Sequence, residues 1–444
     1  MKALLSQLEK VLNSKLINSD IEFKNISIDS RTTNKGDLFI AIKGENFDGH
    51  EFIKDAIDKG SVAIISEKEI KEIPNIVVKD SVLALGKISN YYIQMLKPLT
   101  IGITGTNGKT SVTNLIGTIL KKFKNTITSY GNFNNQIGLP LSILKMDDSH
   151  KICVLEMGAS KREDIKYLTS IANPKIVMIL NVSPAHLEGF KSLENILLTK
   201  EEILCDQGYE KTVILNKDDI NFSRWKEISK NHHIKTISKN QKADYFIKNI
   251  KKNKLQIGIP SKESFELDLK QAHTHFIDNI LFSIACSLEA GASLQNIIDG
   301  YKEYVGVNGR FCIKKGIFES TIIDDTYNAN PVSMKMSLKS LISIKGAPWF
   351  VMGDMGELGK ESDIFHFEIA EFAKNTGIER LFYIGKYNNL ILKGFGKGAL
   401  CFDNKDELIS YVKDIISKDV NILIKASRFM KFESIVDALT LRKD

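Results

Sequence analysis

Residues 103–111, whose sequence is ITGTNGKTS, have the composition of a loop that binds the phosphates of a nucleotide. An apolar run precedes this loop and apolar residues at helical spacing follow it, so the order is strand, glycine loop, helix. Backbone N–H groups at the start of such a helix face an anion, and Lys109 adds a positive charge for the β- and γ-phosphates. The Thr110 hydroxyl stands where such loops bind Mg²⁺. Ile103 replaces the first glycine of the common motif, so the sequence predicts a shortened nucleotide-binding loop.

Two further polar residues follow the next apolar runs. Glu156 comes directly after the run at 152–155, and His186 lies in the turn after the run at 176–180. Ligands of an open α/β sheet bind beyond the carboxyl ends of its strands, so both side chains are predicted to lie beside the glycine loop. A carboxylate there can hold a metal ion, and a histidine can bind a metal or transfer a proton. Each residue alone is more often solvated, but their shared placement favours a functional site.

Other candidates have a structural interpretation as well as a functional one. Lys200 lies in a helical pattern beside two glutamates, where solvent exposure is the default expectation. Ser30 and Arg31 end a predicted strand and could bind an anion, although Arg31 could equally form a surface ion pair.

The segment 322–331 ends a predicted strand in two carboxylates and then begins a helix. Asn330 is expected to cap that helix, and Pro331 to occupy its first position. Capping does not explain Asp324 and Asp325, so we expect at least one of them to face the nucleotide or the substrate.

Composition and charge exclude several classes of protein. The chain has 444 residues, 43% hydrophobic and 26% charged, as in a globular enzyme of about three domains. Its net charge of +7 is spread without a basic stripe, so nucleic acid is not an expected partner. The five scattered cysteines indicate neither a zinc site nor a disulfide framework, which is typical of the cytoplasm. The first residues predict an amphipathic helix, so no signal peptide and no membrane insertion are expected.

The apolar runs divide the chain into three segments with an α/β rhythm. We predict a small α/β domain at 1–97, a central domain with a parallel sheet at 98–308, and a third α/β domain at 309–444. A helix is predicted at 51–59. The predicted strands fall at 26–28, 38–42, 62–65, 100–104, 152–155, 176–180, 213–215, 322–323, 349–352, 381–384 and 422–424.

In this order the motifs resemble the Mur ligase family, and the resemblance covers essentially the whole chain. It is carried by the stretches DSRTTNKGDLFIAIKGENFDGHEF, TGTNGKTS, GNFNNQIGLPLSIL, LEMGAS, AHLEGFKSLENILLTKEEI, IIDDTYNANPVSMKMSL, VMGDMGELGKES and IKASRFMKFESIV. TGTNGKT alone indicates only a wider group that includes folylpolyglutamate synthetases. NNQIGLP, AHLEGF and GDMGELG are similar to the family member that adds D-alanyl-D-alanine to UDP-N-acetylmuramoyl-tripeptide.

The resemblance implies a small UDP-binding α/β domain, a central P-loop ATPase domain with a parallel sheet, and a Rossmann-like carboxyl-terminal domain. It implies an ATP-dependent ligase of the acid–D-amino-acid type, which forms an amide bond through an acyl phosphate. The product would be the UDP-N-acetylmuramoyl-pentapeptide used in peptidoglycan synthesis. ATP and two Mg²⁺ ions are the implied cofactors, and a cytoplasmic monomer is the implied state.

The resemblance also implies roles for individual residues. Lys109, Glu156, His186 and Lys200 form the implied catalytic set, in which Thr110 and Glu156 serve one Mg²⁺ and His186 the second. Lys200 falls on a lysine that the family carbamylates, and the CO₂ adduct would supply oxygen ligands that suit Mg²⁺. The implied ATP-binding positions are Gly105, Thr106, Asn107, Gly108, Lys109, Thr110, Ser111, Asn279, Arg310, Asp325 and Asn328. The implied UDP-substrate positions are Ser30, Arg31, Asp48, Gly49, His50, Asn134, Asn135 and Gln136.

The chain departs from the family pattern at three places. Phe276 follows His275 where asparagine is frequent, Ala426 stands for a glycine, and Ser160 stands for an asparagine. The alternatives are a Mur ligase that adds the third amino acid, a folylpolyglutamate synthetase, and a nucleotide-dependent regulator. The first carries Asp-Asn-Pro-Arg when it adds meso-diaminopimelate, and this sequence has no such run. The second lacks an amino-terminal UDP-binding domain of this kind, and a regulator has no use for the catalytic set.

Overall fold

The computed structural model describes residues 1–44, 47–184, 187–205, 208–251, 254–260, 262–269 and 276–441. The predicted site residue His186 lies outside the described residues, as does His275, which precedes the departure at Phe276. Three large sheets organise the chain, with a small two-stranded sheet at the amino terminus. None of the helices in the described ranges is long and apolar enough to cross a membrane.

The first large sheet has five strands in the order β2-β7-β6-β5-β4, of which β2 is antiparallel to β7. The predicted strands and the helix at 51–59 are confirmed in this region, the helix beginning with a 3₁₀ turn at Gly49–Phe52. The elements are β1 (Ala3–Leu4), α1 (Leu5–Leu12), β2 (Leu16–Ile17), β3 (Glu22–Phe23), β4 (Ile26–Ser27), β5 (Leu38–Ile40), α2 (Ile53–Asp58), β6 (Ala63–Ser66), β7 (Asn75–Val77) and α3 (Ser81–Leu96).

The central sheet has nine strands in the order β16-β15-β14-β13-β12-β11-β8-β10-β9. The four predicted strands are β8, β10, β11 and β12, while β9 and β13 to β16 were not predicted. Its elements are β8 (Leu99–Thr104), α4 (Lys109–Leu120), β9 (Thr126–Thr128), α5 (Gly138–Leu144), β10 (Ile152–Glu156), α6 (Asp164–Ala172), β11 (Ile176–Ile179), α7 (Leu187–Phe190), α8 (Leu193–Glu201), β12 (Thr212–Asn216), α9 (Phe222–Ile228), β13 (His233–Ser238), β14 (Tyr245–Lys251), β15 (Lys254–Ile259), β16 (Lys262–Asp268), α10 (Ile277–Glu289) and α11 (Leu294–Glu303).

The register of the central sheet positions the candidate site. β8, which leads into the glycine loop, pairs in parallel with β10 on one side and with β11 on the other. Glu156, the last residue of β10, lies opposite Ile103 near the end of β8. Because parallel strands end at the same edge of a sheet, the segments after β10 and β11 flank the loop.

The third sheet has six strands in the order β17-β18-β22-β19-β20-β21, all parallel except β17. Helices α12 to α14 pack on one face and α15 and α16 on the other, so the sheet is covered on both sides. The elements are β17 (Cys312–Lys315), β18 (Thr321–Asp324), α12 (Pro331–Ile342), β19 (Ala347–Gly353), α13 (Ser362–Asn375), β20 (Arg380–Ile384), α14 (Asn388–Phe395), β21 (Ala399–Cys401), α15 (Lys405–Ile415), β22 (Val420–Lys425) and α16 (Glu433–Leu439).

Helix α3 joins the first sheet to the central one. It packs on α1 and also on α5 and α6, and one continuous hydrophobic core includes residues of both sheets. At Gly86 in α3 an added Cβ would lie 2.2 Å from the Tyr167 hydroxyl of α6, so the two helices are in close contact. The predicted domain boundary at residue 97 follows the end of α3, but α3 packs against helices of both predicted domains. The domain boundaries stay a prediction.

Candidate functional site

The glycine loop connects β8 to α4 in a conformation that requires glycine. Gly108 has φ of +87°, and a Cβ there would lie 2.9 Å from Oδ1 of Asn279. Lys109, the first residue of α4, donates hydrogen bonds to the carbonyls of Gly105 (2.8 Å) and Thr106 (3.0 Å). The ammonium is thus held within the loop, at the helix end that favours anions.

The segment after β11 braces this loop. Asn181 makes three contacts: its carbonyl accepts from Thr106 N (3.0 Å), its Oδ1 from Asn107 N (2.9 Å), and its Nδ2 donates to the Asn107 carbonyl (2.9 Å). Asn107 Nδ2 donates to the Ser183 hydroxyl at 3.2 Å. Neither Asn181 nor Ser183 was a predicted site residue, although their place after β11 could have suggested this role.

Glu156 is buried with only 2% of its surface exposed, and both of its carboxylate oxygens are engaged. Oε2 accepts a hydrogen bond from the Thr110 hydroxyl and Oε1 one from Asn134 Nδ2, each at 2.7 Å. Its backbone N–H donates to the Ser129 hydroxyl at 2.9 Å. A hydroxyl and a carboxylate that converge beside a phosphate-binding loop are the oxygen ligands that Mg²⁺ prefers, so the residues present fit this ion.

Lys200 lies in α8 and is 4% exposed, so the default expectation of a solvated lysine is wrong. Burial, and to a smaller extent the charge of Lys109, lowers the pKa of its ammonium to about 7, against the opposing effect of Asp164, Glu156 and Glu202. Burial also lowers the pKa of Lys109, which Glu156 raises. Lys200 therefore belongs to the same charged cluster as Lys109 and Glu156.

The two glutamates after Lys200 are buried as well and hold α8 in place. Glu201 accepts hydrogen bonds from Trp225 Nε1 (3.1 Å) and from Arg224, with which it forms an ion pair at 2.7 Å. Glu202 accepts from the backbone N–H groups of Glu163 (2.8 Å) and Lys166 (3.0 Å) at the start of α6. Among the described residues, which do not include His186, no three His, Cys, Asp or Glu side chains form a metal-binding group.

The predicted residues after β9 have separate partners. Asn134 binds Glu156, as described above. Asn135 Oδ1 accepts from the backbone N–H groups of Ile137 (3.2 Å) and Gly138 (2.9 Å), where α5 begins. Gln136 Nε2 donates to Asp164 Oδ1 at 3.0 Å. This segment thus links the end of β10 to the start of α6.

The predicted residues of the first sheet form local contacts in the loops after β4 and β5. Arg31 is exposed and forms a two-pronged ion pair with Asp29, the closer contact being 2.8 Å, while Ser30 is buried. Asp48 accepts from the backbone N–H (3.0 Å) and the ring Nδ1 (2.7 Å) of His50, and an added Cβ at Gly49 would lie 2.7 Å from the Ile42 backbone. His50 Nε2 accepts from Glu67 N at 3.1 Å, so both ring nitrogens have partners.

The carboxylates after β18 are occupied by the chain itself. Asp325 accepts from Phe311 N (3.1 Å), the Ser337 hydroxyl (2.6 Å) and the Lys425 ammonium (2.7 Å). Asp324 accepts from Gly309 N and forms an ion pair with Lys314 at 2.8 Å. We expected at least one of these carboxylates to face the nucleotide or the substrate, because capping did not explain them. The contacts of Asp325 give it a structural role instead, since it holds β22 and α12 together.

Arg310 and Tyr327 form a stacked pair at the start of the third sheet. The Arg310 guanidinium lies 3.7 Å from the centre of the Tyr327 ring, and its charge lowers the pKa of Lys109. Asn328 accepts from the Lys425 ammonium through its carbonyl at 2.9 Å. A cavity of about 210 Å³ lies beside Tyr327, lined also by Gly309, Asp324 and others. Tyr327 was not a predicted site residue.

Comparison with protein families gives matches along most of the chain. Residues 22–92 match the family described as "Mur ligase family, catalytic domain". Residues 103–287 match the "Mur ligase middle domain", and residues 309–428 match the "Mur ligase, glutamate ligase domain".

Curated relatives and solved structures agree with these matches. The UDP-N-acetylmuramoyl-tripeptide–D-alanyl-D-alanine ligase of Buchnera aphidicola subsp. Baizongia pistaciae is 37% identical, over 94% of this chain and 93% of the relative. The enzyme of the same name from Escherichia coli (strain K12) is 32% identical, over 98% of both chains. A crystal structure of MurF from Acinetobacter baumannii has a TM-score of 0.91 and 29% identity over 98% of both chains. MurF ligase from Thermotoga maritima, solved in complex with ADP, has a TM-score of 0.83 and 28% identity, over 94% of this chain and 96% of that one.

Proposed function

Because this chain belongs to the Mur ligase family, we propose that it joins D-alanyl-D-alanine to UDP-N-acetylmuramoyl-tripeptide at the expense of ATP. The product is the UDP-N-acetylmuramoyl-pentapeptide, a precursor of peptidoglycan. The observation that carries this proposal is the similarity to D-alanyl-D-alanine ligases over nearly the full length, combined with a cluster of the half-buried Lys109 and the buried Glu156 and Lys200. The alternatives are less well supported, because these relatives share one activity along the whole chain.

The reaction is the formation of an amide bond in two steps. The terminal carboxylate of the tripeptide attacks the γ-phosphorus of ATP, which gives an acyl phosphate and ADP. The amine of D-alanyl-D-alanine then attacks the acyl carbon, and phosphate leaves. Two anions must approach each other in the first step, so the site has to supply positive charge and fixed orientation.

The residues of the glycine loop bind and orient the nucleotide. Lys109 exchanges its contacts with the loop carbonyls for the β- and γ-phosphates, and the loop N–H groups bind phosphate oxygens. Thr110 and Glu156 would hold Mg²⁺, which screens the charge of the phosphates. Asn134 keeps the Glu156 carboxylate in the orientation that this requires. We propose that the ATP site also includes the other P-loop residues and Asn279, Arg310, Asp325 and Asn328. Asp325 acts indirectly, because it holds the turn that carries Asn328.

Lys200 is proposed to carry a carbamate and, with His186, to serve a second Mg²⁺. Carbon dioxide adds only to a neutral amine, and burial lowers the pKa of Lys200 to about 7, so a large neutral fraction is present near neutral pH. The adduct exchanges a buried cation for an anion, which turns the repulsion from Lys109 into an attraction. It also places a negative charge near Asp164, Glu156 and Glu202, a repulsion that bound Mg²⁺ would offset.

The remaining predicted residues are proposed to bind the UDP-linked substrate. Ser30, Arg31, Asp48, Gly49 and His50 lie in loops of the first sheet, whereas Asn134 to Gln136 follow β9 in the central domain, where Asn134 contacts Glu156. Arg31 is exposed and could exchange Asp29 for a diphosphate. Since ATP and the UDP-linked substrate are cytoplasmic, we propose a cytoplasmic enzyme, acting as a monomer.

Phosphate release with matched substrates tests the function. UDP-N-acetylmuramoyl-tripeptide and ATP should release phosphate only with D-alanyl-D-alanine, and mass spectrometry should detect the pentapeptide. Release with the UDP-dipeptide and meso-diaminopimelate, or with a folate and glutamate, would contradict the proposal. The Lys109→Ala variant should bind the UDP-substrate but show no turnover, which controls for a contaminating enzyme.

A further inference from the structure

The side chain of Asn330 belongs to two structural units at once. Its Oδ1 accepts a hydrogen bond from Ser333 N at 2.9 Å, which caps the start of α12 in the third sheet. Its Nδ2 donates to Oδ1 of Asn107 at 2.9 Å, in the phosphate loop of the central sheet. The cap explains the first contact, and nothing in the folding of α12 explains the second.

The orientation of the Asn107 amide is fixed by its other contacts. Its Nδ2 donates to the Ser183 hydroxyl, and its backbone N–H and carbonyl both bind Asn181. Oδ1 of Asn107 is therefore presented as an acceptor toward Asn330. The amide of Asn330 supplies the donor that matches this acceptor, whereas an aspartate carries no donor and a serine hydroxyl is too short to reach Asn107.

The turn that carries Asn330 is itself held rigidly. Lys425, buried in β22, donates to the Asn328 carbonyl at 2.9 Å and forms an ion pair with Asp325 at 2.7 Å. A displacement of the third sheet therefore moves Asn330 with it. Asn107 and Asn330 are 223 positions apart in the chain, and strands β9 to β16 of the central sheet lie between them. Their hydrogen bond is therefore a direct link between two distant parts of the chain.

We propose that Asn330 is a positioning residue that couples the placement of the third sheet to the conformation of the phosphate loop. The inference rests on the proposed ligase function, in which Arg310, just before the third sheet, and Lys109, at the end of the loop, must face one nucleotide. Asn330 touches neither ATP nor substrate in this account. It fixes the position of Asn107, and with it the phosphate loop, relative to the third sheet while the γ-phosphate is transferred.

Two substitutions separate the hydrogen bond to Asn107 from the capping of α12. Asn330→Ser keeps a neutral helix cap but is too short to reach Asn107, and Asn330→Asp keeps the cap but sets an acceptor against an acceptor. Serine, asparagine and aspartate are about equally good caps, so the thermal midpoint should stay near the wild-type value. Asn404→Asp is the matched control, because Asn404 caps α15 on the opposite face of the same sheet.

The kinetic test is steady-state ligation at saturating UDP-substrate and D-alanyl-D-alanine. We expect kcat/KM for ATP to fall by about tenfold in Asn330→Ser, the size expected for one hydrogen bond, and further in Asn330→Asp. The control Asn404→Asp should retain wild-type values. In a double-mutant cycle, Asn330→Ser should cost little more in an Asn107→Ala background, since the bond is already absent. Wild-type kinetics in Asn330→Ser, or additive losses in the cycle, would overturn the proposal.

Hydrogen–deuterium exchange tests the link without any turnover. Residues 105–111 should exchange faster in Asn330→Ser than in the wild type, while the first turn of α12 stays protected by its new cap. Identical exchange in the loop would overturn the coupling. If the wild-type protein does not ligate D-alanyl-D-alanine, the proposed function fails, and the exchange comparison still decides on the link.

Discussion

The backbone N–H of Glu163 donates a hydrogen bond of 2.8 Å to the carboxylate of Glu202, which joins the start of α6 to the helix that carries Lys200. Glu163 makes this contact from the left-handed region, at φ of +70°. A side chain is unfavourable there, so the contact is formed at a cost in backbone energy. The site geometry thus depends on a strained residue that does not face the nucleotide.

Replacing Glu163 with glycine should stabilise the protein. Glycine removes the penalty of the left-handed conformation, but it also raises the conformational entropy of the unfolded chain, which offsets part of the benefit. We expect the free energy of unfolding to increase by about 1 kcal/mol. Chemical denaturation of the wild type and variant measures it. Glu163→Ala is the control, since it keeps the strain, and it should show no gain. Equal stability of the two variants would mean that strain at this residue is negligible.

The Thr110 hydroxyl should matter for catalysis and not for folding. Thr110→Val keeps the shape of the side chain but removes the donor to Glu156, and with it an oxygen for Mg²⁺. We expect kcat/KM to fall by about tenfold or more, which equals about 1.4 kcal/mol of transition-state stabilisation, and the Mg²⁺ requirement to rise. Thr110→Ser retains the hydroxyl and should stay close to wild type. Comparable activity in the valine and serine variants would exclude this role.

Gly108 should not tolerate even a methyl group. In Gly108→Ala the Cβ would lie 2.9 Å from Asn279 Oδ1 at a residue with φ of +87°, so the loop must shift. We expect affinity for ATP, measured by calorimetry, to fall by about tenfold or more. Gly377→Ala is the control: its φ is +94°, but an added Cβ meets no atom within 4 Å. The control places a side chain at a similar positive φ, in the turn between α13 and β20, and should bind ATP normally. Weakened binding in both variants would mean that the contact with Asn279 is not the cause.

Small carboxylates should partly replace a carbamate on Lys200. Lys200→Ala removes the amine and leaves a space in a buried cluster, and we expect ligation to fall by about 100-fold or more. Acetate or formate added to the assay should restore part of the activity by supplying oxygen ligands. The Lys109→Ala variant, assayed with the same salts, controls for a general salt effect. No restoration in Lys200→Ala would indicate that the lysine acts through its amine or by packing.

The buried Lys200 amine should also make stability depend on pH. Its pKa is about 7 in the folded protein and 10.5 when exposed, so between these values the unfolded chain binds more protons. Stability should therefore rise with pH across this window, relative to a Lys200→Met variant that cannot titrate. Thermal unfolding in CO₂-free buffer measures the difference, which should be largest near pH 7 and shrink toward pH 10.5. A difference independent of pH would show that the amine is not perturbed.

The sequence by itself determined the phosphate loop and the strands around it. The loop, β8, β10 and β11 follow from local patterns: a short apolar run, then glycine and Gly-Lys-Thr, or an apolar run that ends in a polar residue. Because parallel strands end at one edge, the pattern also placed Glu156 beside the loop before any distance was known. The cap at Asn330 was predictable for the same reason, since capping acts within a few residues.

Only the tertiary structure decided which charged groups are buried and what they contact. Lys200 has the sequence context of a solvated lysine, yet α8 is covered by α6 and α9 through Glu202 and Glu201, and this burial is what lowers its pKa. The second contact of Asn330 joins residues 223 positions apart, and no local pattern specifies such a pair. Burial and long-range pairing depend on how separate elements pack against each other, and the spacing of residues within one segment does not determine those contacts.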